Sequence, residues 1–555
     1  MNKKVCSFPI LFALLTLLIG TCAVVFPASA QAAPTSTGSI TVSGTVASSY
    51  DAYQIFSANV VDGDSDAKIA TDLAWASDAV RDAVLPVLHS AGMPNSQTTA
   101  QEAAEWLNTD SHLTSALSAQ LARSLQSSGA VSVALNAGTT AELPCGYWLI
   151  VADDDVISQN EAGTAPIMVL VGGSAVTVKP KASTPKVAKH VLEDGTAAWQ
   201  KAADATVADD LYWRLSATVP AGLAAYDTYT VRFVDTMSAG LDPSKVAASM
   251  HVYVAAGAEG GFDAVSAGKD GRAGTEPAKG WADITAQCAT KVAADGTFTV
   301  RTGDLIAALG GADAFTAGAR VVAVYNAPLN SACNHGIAKG NPNEVYLRYP
   351  RSPFADQSGD AGFTRTPSDD ACAYTWDLAL TKRGSDGDKP LAGAVLSIAD
   401  DRGRTLAADG TWDAEGKATV TTGEDGRVTV SGVDSGKLEV RELKAPKGYT
   451  AFEGTRSVTV KAEGLDVDQV AAAKPKLTIT AESPLRADSA DGSTGSLEAS
   501  LINTPTGTPP SITTGGFMPS TGDMAMYAAA AAAVAGAALI VVALLVKRGG
   551  GSHNE

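Results

Sequence analysis

Lysines and asparagines inside strand-like stretches are the residues of this chain best placed to react with one another. A lysine enclosed by apolar and aromatic side chains gives up its proton, because burial disfavours the charged form, and becomes a nucleophile. A carboxyl enclosed beside it keeps its proton for the same reason. It can then donate to an asparagine carbonyl and shuttle protons while ammonia leaves. The product is an amide between two side chains. Strand-like stretches that carry a lysine include Pro185-x-x-x-Lys189 and Leu378-Ala379-Leu380-Thr381-Lys382. Such asparagines stand in Asn343-Glu344-Val345-Tyr346 and Ala499-Ser500-Leu501-Ile502-Asn503, and carboxylates lie between them in Phe233-Val234-Asp235-Thr236 and Leu438-Glu439-Val440-Arg441-Glu442.

Other chemistry is poorly supplied. There is no Gly-x-Ser-x-Gly elbow, no His-Glu-x-x-His and no phosphate loop, and the six histidines are scattered. Asp153-Asp154-Asp155 lacks the spaced oxygen ligands and turn glycine of a calcium loop and reads as a solvated turn. No metal or cofactor is implied. Of six cysteines, Cys6 and Cys22 fall in the N-terminal segment 1–30 that reads as a signal peptide, and Cys145, Cys288, Cys333 and Cys372 remain, with no zinc-knuckle or Cys-x-x-Cys spacing. They read as one or two structural disulfides or as unpaired buried thiols. The formal net charge of −18 argues against nucleic acid as a partner and fits a soluble exported surface.

The elements that must hold these residues are mostly strands. Alternation of apolar and polar residues at Ile40–Val46, Tyr53–Phe56, Val131–Leu135, Gly146–Val151 and Pro166–Val178 predicts a first β-rich domain over 31–181. Inside it, Val80, Val84 and Leu88 repeat at helical spacing, Thr99-x-x-Glu102 forms a capping box ahead of Trp106, and Leu113, Leu117, Leu121 and Leu125 line a further helix. Lys68, assigned to this helical insertion, is the only lysine between Gln31 and Val178, so no first-strand lysine can react there. A second domain over 182–375 carries strand patterns at Tyr212–Leu215, Thr228–Val234, Thr297–Val300, Val321–Tyr325 and Val345–Tyr349, and a third covers 376–506. The fold class expected is all-β: tandem Ig-like β-sandwiches, with a helical insertion in the first and a C-terminal transmembrane helix.

Both ends carry export signals. Lys3 and Lys4, an apolar run to Phe26 and Ala28-Ser29-Ala30 read as a signal peptide over 1–30. At the other end a Pro/Gly/Thr-rich linker over 507–517 leads to Met518-Pro519-Ser520-Thr521-Gly522, an apolar run from Met524 to Val546, and Lys547-Arg548. The pentapeptide resembles the Leu-Pro-x-Thr-Gly sorting signal of sortase substrates, with Met for Leu, and the order of pentapeptide, helix and basic tail over 518–555 is that family's signature. The resemblance implies that a sortase cysteine attacks the carbonyl of Thr521, releases the Gly522 side, and holds the protein as a thioester until an amine resolves it.

The internal segments resemble known families too. Leu438 to Tyr449 resembles the E-box of collagen-adhesin B-type domains, which makes Lys382 the nucleophile, Glu442 the assisting carboxyl and Asn503 the acceptor of an intramolecular isopeptide. The segments around Lys189, Asp235 and Asn343 resemble the isopeptide-forming domains of Gram-positive fimbrial proteins, in the same three roles, with Lys186 and Asn341 as alternative partners. Val176-Thr177-Val178-Lys179-Pro180-Lys181 resembles the pilin motif whose last lysine joins the sorting-signal Thr of the next subunit, here Lys181 on Thr521, with Lys179 as runner-up.

The expectation is the backbone subunit of a sortase-assembled covalent pilus, anchored to peptidoglycan, exposed on the cell wall, and not an enzyme beyond its own cross-linking. Its partners would be pilus and housekeeping sortases, identical subunits, minor pilins, peptidoglycan and a host surface ligand. The alternative is a monomeric wall-anchored adhesin in which Lys181 is idle.

Overall fold

Strand-forming alternation governs nearly the whole chain, and each alternating face closes against another. A computed structural model describes residues 36–507, apart from 45, 65–66, 110, 159, 181–183, 221–222, 258–279 and 317. The signal-peptide segment, Lys181, the sorting signal and the C-terminal apolar run lie outside the described residues; among those described, no helix is long and apolar enough to cross a membrane.

In the N-terminal part, strand Ser49–Asp62 pairs with Lys68–Trp75, Val133–Asn136 and Gly146–Ala152, and the last of these pairs with Ile167–Val171. A smaller sheet joins Thr37–Val42 to Thr140–Pro144 and, in parallel, to Val176–Val178. The expected strand Pro166–Val178 is thus two strands in two sheets, broken where Gly172 and Gly173 adopt positive φ. Helices α1 (Asp78–Ser90), α2 (Ala100–Asn108) and α3 (Ser115–Ser128) pack beside the larger sheet: Val80, Val84, Leu88, Leu117, Leu121 and Leu125 share a buried cluster with Ile55, Phe56 and Leu149. The capping box forms, Glu102 N donating to Thr99 Oγ1 (3.2 Å) and Thr99 N to Glu102 Oε2 (2.9 Å). Leu113 packs against the cluster from just before α3. Lys68 is not in the helical insertion. It opens the strand Lys68–Trp75, where its ammonium serves a turn by donating to the carbonyl oxygens of Gly172 and Ser174.

The middle part is a sandwich. One sheet orders the strands Ala198–Gln200, Val187–Glu193, Tyr212–Thr218, Arg320–Asn326, His251–Ala255 and Trp281–Asp283. The facing sheet orders Ala202–Asp204, Asp369–Tyr374, Asn341–Pro350, Arg232–Met237, Thr297–Arg301 and Ala289–Val292, with Phe363–Arg365 added beside Asn341–Pro350. The strand expected from Thr228 begins only at Arg232, because the backbone N–H groups of Tyr229, Thr230 and Val231 are taken by side chains of Asp304, Gln357 and Thr302 rather than by a ladder.

The C-terminal part repeats the plan. Arg427–Val433, Trp376–Gly384, Ser496–Pro505 and Tyr449–Thr450 form one sheet, joined by Leu485–Asp491, and Trp376–Gly384 runs parallel to Ser496–Pro505. Against it lies a sheet centred on Val395–Ala399, Gly436–Lys444 and Thr455–Glu463. The architecture is all-β in several units. Cys145, Cys288, Cys333 and Cys372 are unpaired, which selects the thiol reading over disulfides.

Neighbouring parts are tied by polar contacts. Asp204 Oδ2 accepts from Trp376 Nε1 (2.6 Å), Ser435 N (3.0 Å) and Ser435 Oγ (2.5 Å), and Arg404 holds Asp209 through two nitrogens at 2.6 and 2.8 Å. Arg123 of α3 reaches the middle part at Asp227 (3.1 Å) and the Ala225 carbonyl (2.9 Å).

Candidate functional site

Two buried clusters of lysine, carboxylate and asparagine lie between facing sheets. In the C-terminal unit, Lys382 stands on Trp376–Gly384 with its side chain inward, since the strand alternates buried and half-buried residues. Asn503 stands on the parallel neighbour, where Lys382 pairs with Leu501 and Gly384 with Asn503. Glu442 comes from the opposite sheet, on Gly436–Lys444, where Leu438, Val440 and Glu442 face inward. The side chains of Lys382 and Glu442 are fully buried and Asn503 is 2% exposed.

Lys382 Nζ donates to Asn503 Oδ1 and lies 3.0 Å from Glu442 Oε1. Asn503 Nδ2 donates to Glu442 Oε1 (2.9 Å) and Oε2 (3.1 Å), and Oε2 also receives Phe452 N at 3.1 Å. The amine is therefore against the amide it would attack, and the carboxyl touches both the attacking and the leaving nitrogen. Burial lowers the Lys382 amine to about 8, against the pull of Glu442. The Phe452 ring, 5.9 Å from Nζ, helps to close the site.

In the middle unit, Lys189 on Val187–Glu193 points across the sandwich to Asp235 on Arg232–Met237. Both side chains are wholly buried, and Nζ donates to Asp235 Oδ2. Asn343 lies on Asn341–Pro350, paired with Met237, two residues from the partner of Asp235, so the two occupy diagonal positions on one face. Lys189 and Asn343 meet at the hydroxyl of Tyr325, to which Lys189 Nζ (2.9 Å) and Asn343 Nδ2 (2.9 Å) both donate, while that hydroxyl lies 3.2 Å from Asp235 Oδ2.

Burial drives Lys189 down to about 8 and Asp235 up to about 6, each partly opposed by the other's charge. Both shifts favour moving a proton from the ammonium to the carboxylate. Trp213 and Tyr325 stand 5.6 and 5.5 Å from Nζ and supply the apolar wall. Of the alternative partners, Lys186 is exposed, and Asn341 spends its amide on the backbone of Asn334 and Ala373. Asn343 Oδ1, by contrast, is buried without a partner, as is Asp235 Oδ1.

Reading the sequence missed Tyr325. Its only trace there is a hydroxyl at the end of the apolar run Val321-Val322-Ala323-Val324. It also missed Lys201, whose ammonium holds Asp369 and the Lys189 carbonyl (2.9 Å) and so braces the strand that carries Lys189. Lys179 is exposed beyond the strand Val176–Val178. Lys181 and Met518 to Gly522 lie outside the described residues.

Comparison with known proteins follows this geometry. The profile of the SpaA prealbumin-like fold domain matches residues 377–474. The trypsin-resistant surface T6 protein of Streptococcus pyogenes serotype M6 is 30% identical over 143 residues, 24% of this chain and 24% of that protein. The match thus spans about a quarter of that relative's length. Among solved structures, the T6 backbone pilin of Streptococcus pyogenes is similar at 16% identity and TM-score 0.46, covering 85% of this chain and 98% of its own. The major pilin SpaD of Corynebacterium diphtheriae is similar at 15% identity and TM-score 0.40, covering 85% and 98%. The segment that carries Lys382 and Glu442 is thus similar to the SpaA prealbumin-like fold domain.

Proposed function

We propose that this chain is the backbone subunit of a covalent, sortase-assembled surface pilus, stiffened by two internal isopeptide bonds. The observation that carries the reading is the pair of buried lysine–carboxyl–asparagine clusters, one in each of two consecutive sandwiches. A surface building block has reason to bury such groups, because an amide staple cannot be reduced and constrains the unfolded chain as a disulfide does. The streptococcal relative is named for resistance to trypsin, which suits a stapled sandwich.

In each cluster the neutral lysine attacks the asparagine side-chain carbonyl carbon. The Nζ–Cγ bond forms, the Cγ–Nδ2 bond breaks, and the proton lost by Nζ is returned to the departing nitrogen as ammonia. In the middle cluster Asp235 Oδ1 and Asn343 Oδ1 are buried oxygens left without partners. Each bond removes about 17 Da from the mass of the chain.

Assembly rests on sequence. Lys181 is the amine that would resolve the Thr521 thioester of the next subunit, and the anchor that follows Gly522 holds the subunit at the membrane until a sortase acts. Wall extracts of the native host and of a Lys181→Ala strain, blotted after denaturing electrophoresis, test this. A high-mass ladder that collapses in the variant supports the polymer, whereas a single band in both makes the protein a monomeric anchored adhesin.

A further inference from the structure

The two clusters differ in one respect that the sequence roles do not anticipate. Glu442 touches the amide nitrogen of Asn503 with both oxygens, at 2.9 and 3.1 Å. Asp235 is one methylene shorter, and the contact with Asn343 Nδ2 belongs to the Tyr325 hydroxyl at 2.9 Å. A phenol has one proton to give and two lone pairs to receive with. Here the lone pairs take Lys189 Nζ and Asn343 Nδ2, which leaves the proton for Asp235 Oδ2 at 3.2 Å. All four groups are completely buried, which keeps bulk water from them.

We propose that Tyr325 is a catalytic residue of the Lys189–Asn343 cross-link, relaying a proton from Asp235 to the leaving nitrogen of Asn343. This inference rests on the isopeptide reading above. Lys189 Nζ bonds to Cγ of Asn343 and passes a proton to Asp235. The Tyr325 hydroxyl gives its proton to Nδ2 as the Cγ–Nδ2 bond breaks and takes one back from the Asp235 carboxyl, so that ammonia leaves and both side chains end as they began. Tyr325 thereby makes up for the shorter reach of aspartate. The C-terminal site needs no relay because glutamate reaches the amide itself.

The test uses the full chain with tandem mass spectrometry of its proteolytic peptides, scoring the Lys189–Asn343 and Lys382–Asn503 pairs in one digest. Wild type should show both pairs. Tyr325→Phe should lose most of the first pair, at least tenfold, and keep the second complete. Because removing a buried hydroxyl can also weaken folding, the double variant Tyr325→Phe with Asp235→Glu is the rescue: the longer carboxylate should restore the middle cross-link. Full cross-linking in Tyr325→Phe, or no recovery in the double variant, overturns the relay. A wild-type digest without the Lys189–Asn343 pair overturns the isopeptide reading of the middle unit itself, and the relay with it.

Discussion

Both carboxylate oxygens of Glu442 receive the amide nitrogen of Asn503, at 2.9 and 3.1 Å, across the gap between two facing sheets. The contact fixes which end of the amide faces the carboxyl and which faces Lys382, whose Nζ donates to Oδ1. The amide is therefore oriented before any bond is made, which is where much of the rate of an intramolecular reaction comes from.

Glu442→Ala removes the proton carrier and leaves Lys382 with no charge partner in an apolar site. Once the mass change of the substitution itself is subtracted, the chain should come out heavier than wild type by about 17 Da, with free Lys382 and Asn503 peptides. Lys382 and Asn503 are 121 residues apart, so losing the staple should lower the stability of that unit by about 4 kcal/mol and its melting temperature by roughly 15 °C. Intact mass and differential scanning calorimetry check the two parts.

The unreacted middle site should show its charge burden through pH. In Asn343→Ala no bond can form, and Lys189, with a folded value of about 8, binds fewer protons than the unfolded lysine at 10.5. Where the unfolded state holds the extra proton, stability rises with pH. The deficit of the variant relative to a wild type whose Lys189 is cross-linked as proposed should therefore shrink from pH 8 towards 10.5. Melting curves across that range test it; a constant or widening gap contradicts a buried, depressed amine.

Asp204 carries the junction of the middle and C-terminal units, accepting three hydrogen bonds from Trp376 and Ser435. Asp204→Ala leaves the buried indole N–H and the Ser435 donors without an acceptor, at a cost of about 2–4 kcal/mol. Limited proteolysis should cut faster around residues 430–436, and small-angle scattering should show a more variable angle between the units. Unchanged cleavage and scattering would place the rigidity elsewhere.

Gly146 starts a strand at φ +143°, and a β-carbon there would meet the Phe56 carbonyl oxygen at 2.0 Å, where the register shifts between Gln54 and Phe56. Gly146→Ala must push two hydrogen-bonded strands apart. A loss of about 3 kcal/mol or more is expected, seen as early unfolding and trypsin sensitivity of the N-terminal part while the Lys382–Asn503 cross-link still forms.

Strand alternation made the all-β architecture legible, and the capping box at Thr99 and Glu102 made the helix after it legible, because both depend on near neighbours in the chain. Lys68 escaped, since nothing local distinguishes a lysine in a helical insertion from one opening an edge strand. Tyr325 escaped because its function depends on partners 18 to 136 residues away.

Resemblance of the strand segments to isopeptide-forming domains therefore nominated Lys189, Asp235, Asn343, Lys382, Glu442 and Asn503, and the terminal segments read as signals for export and anchoring. Nothing in the string of residues could say that Lys186 faces water while Lys189 is sealed, that Asn341 is already satisfied while Asn343 is not, or that one carboxylate reaches its amide and the other needs a phenol between them. Those distinctions come from packing two sheets face to face. The depth of burial and the last few ångströms of side-chain reach belong to the pair of sheets and to neither strand alone.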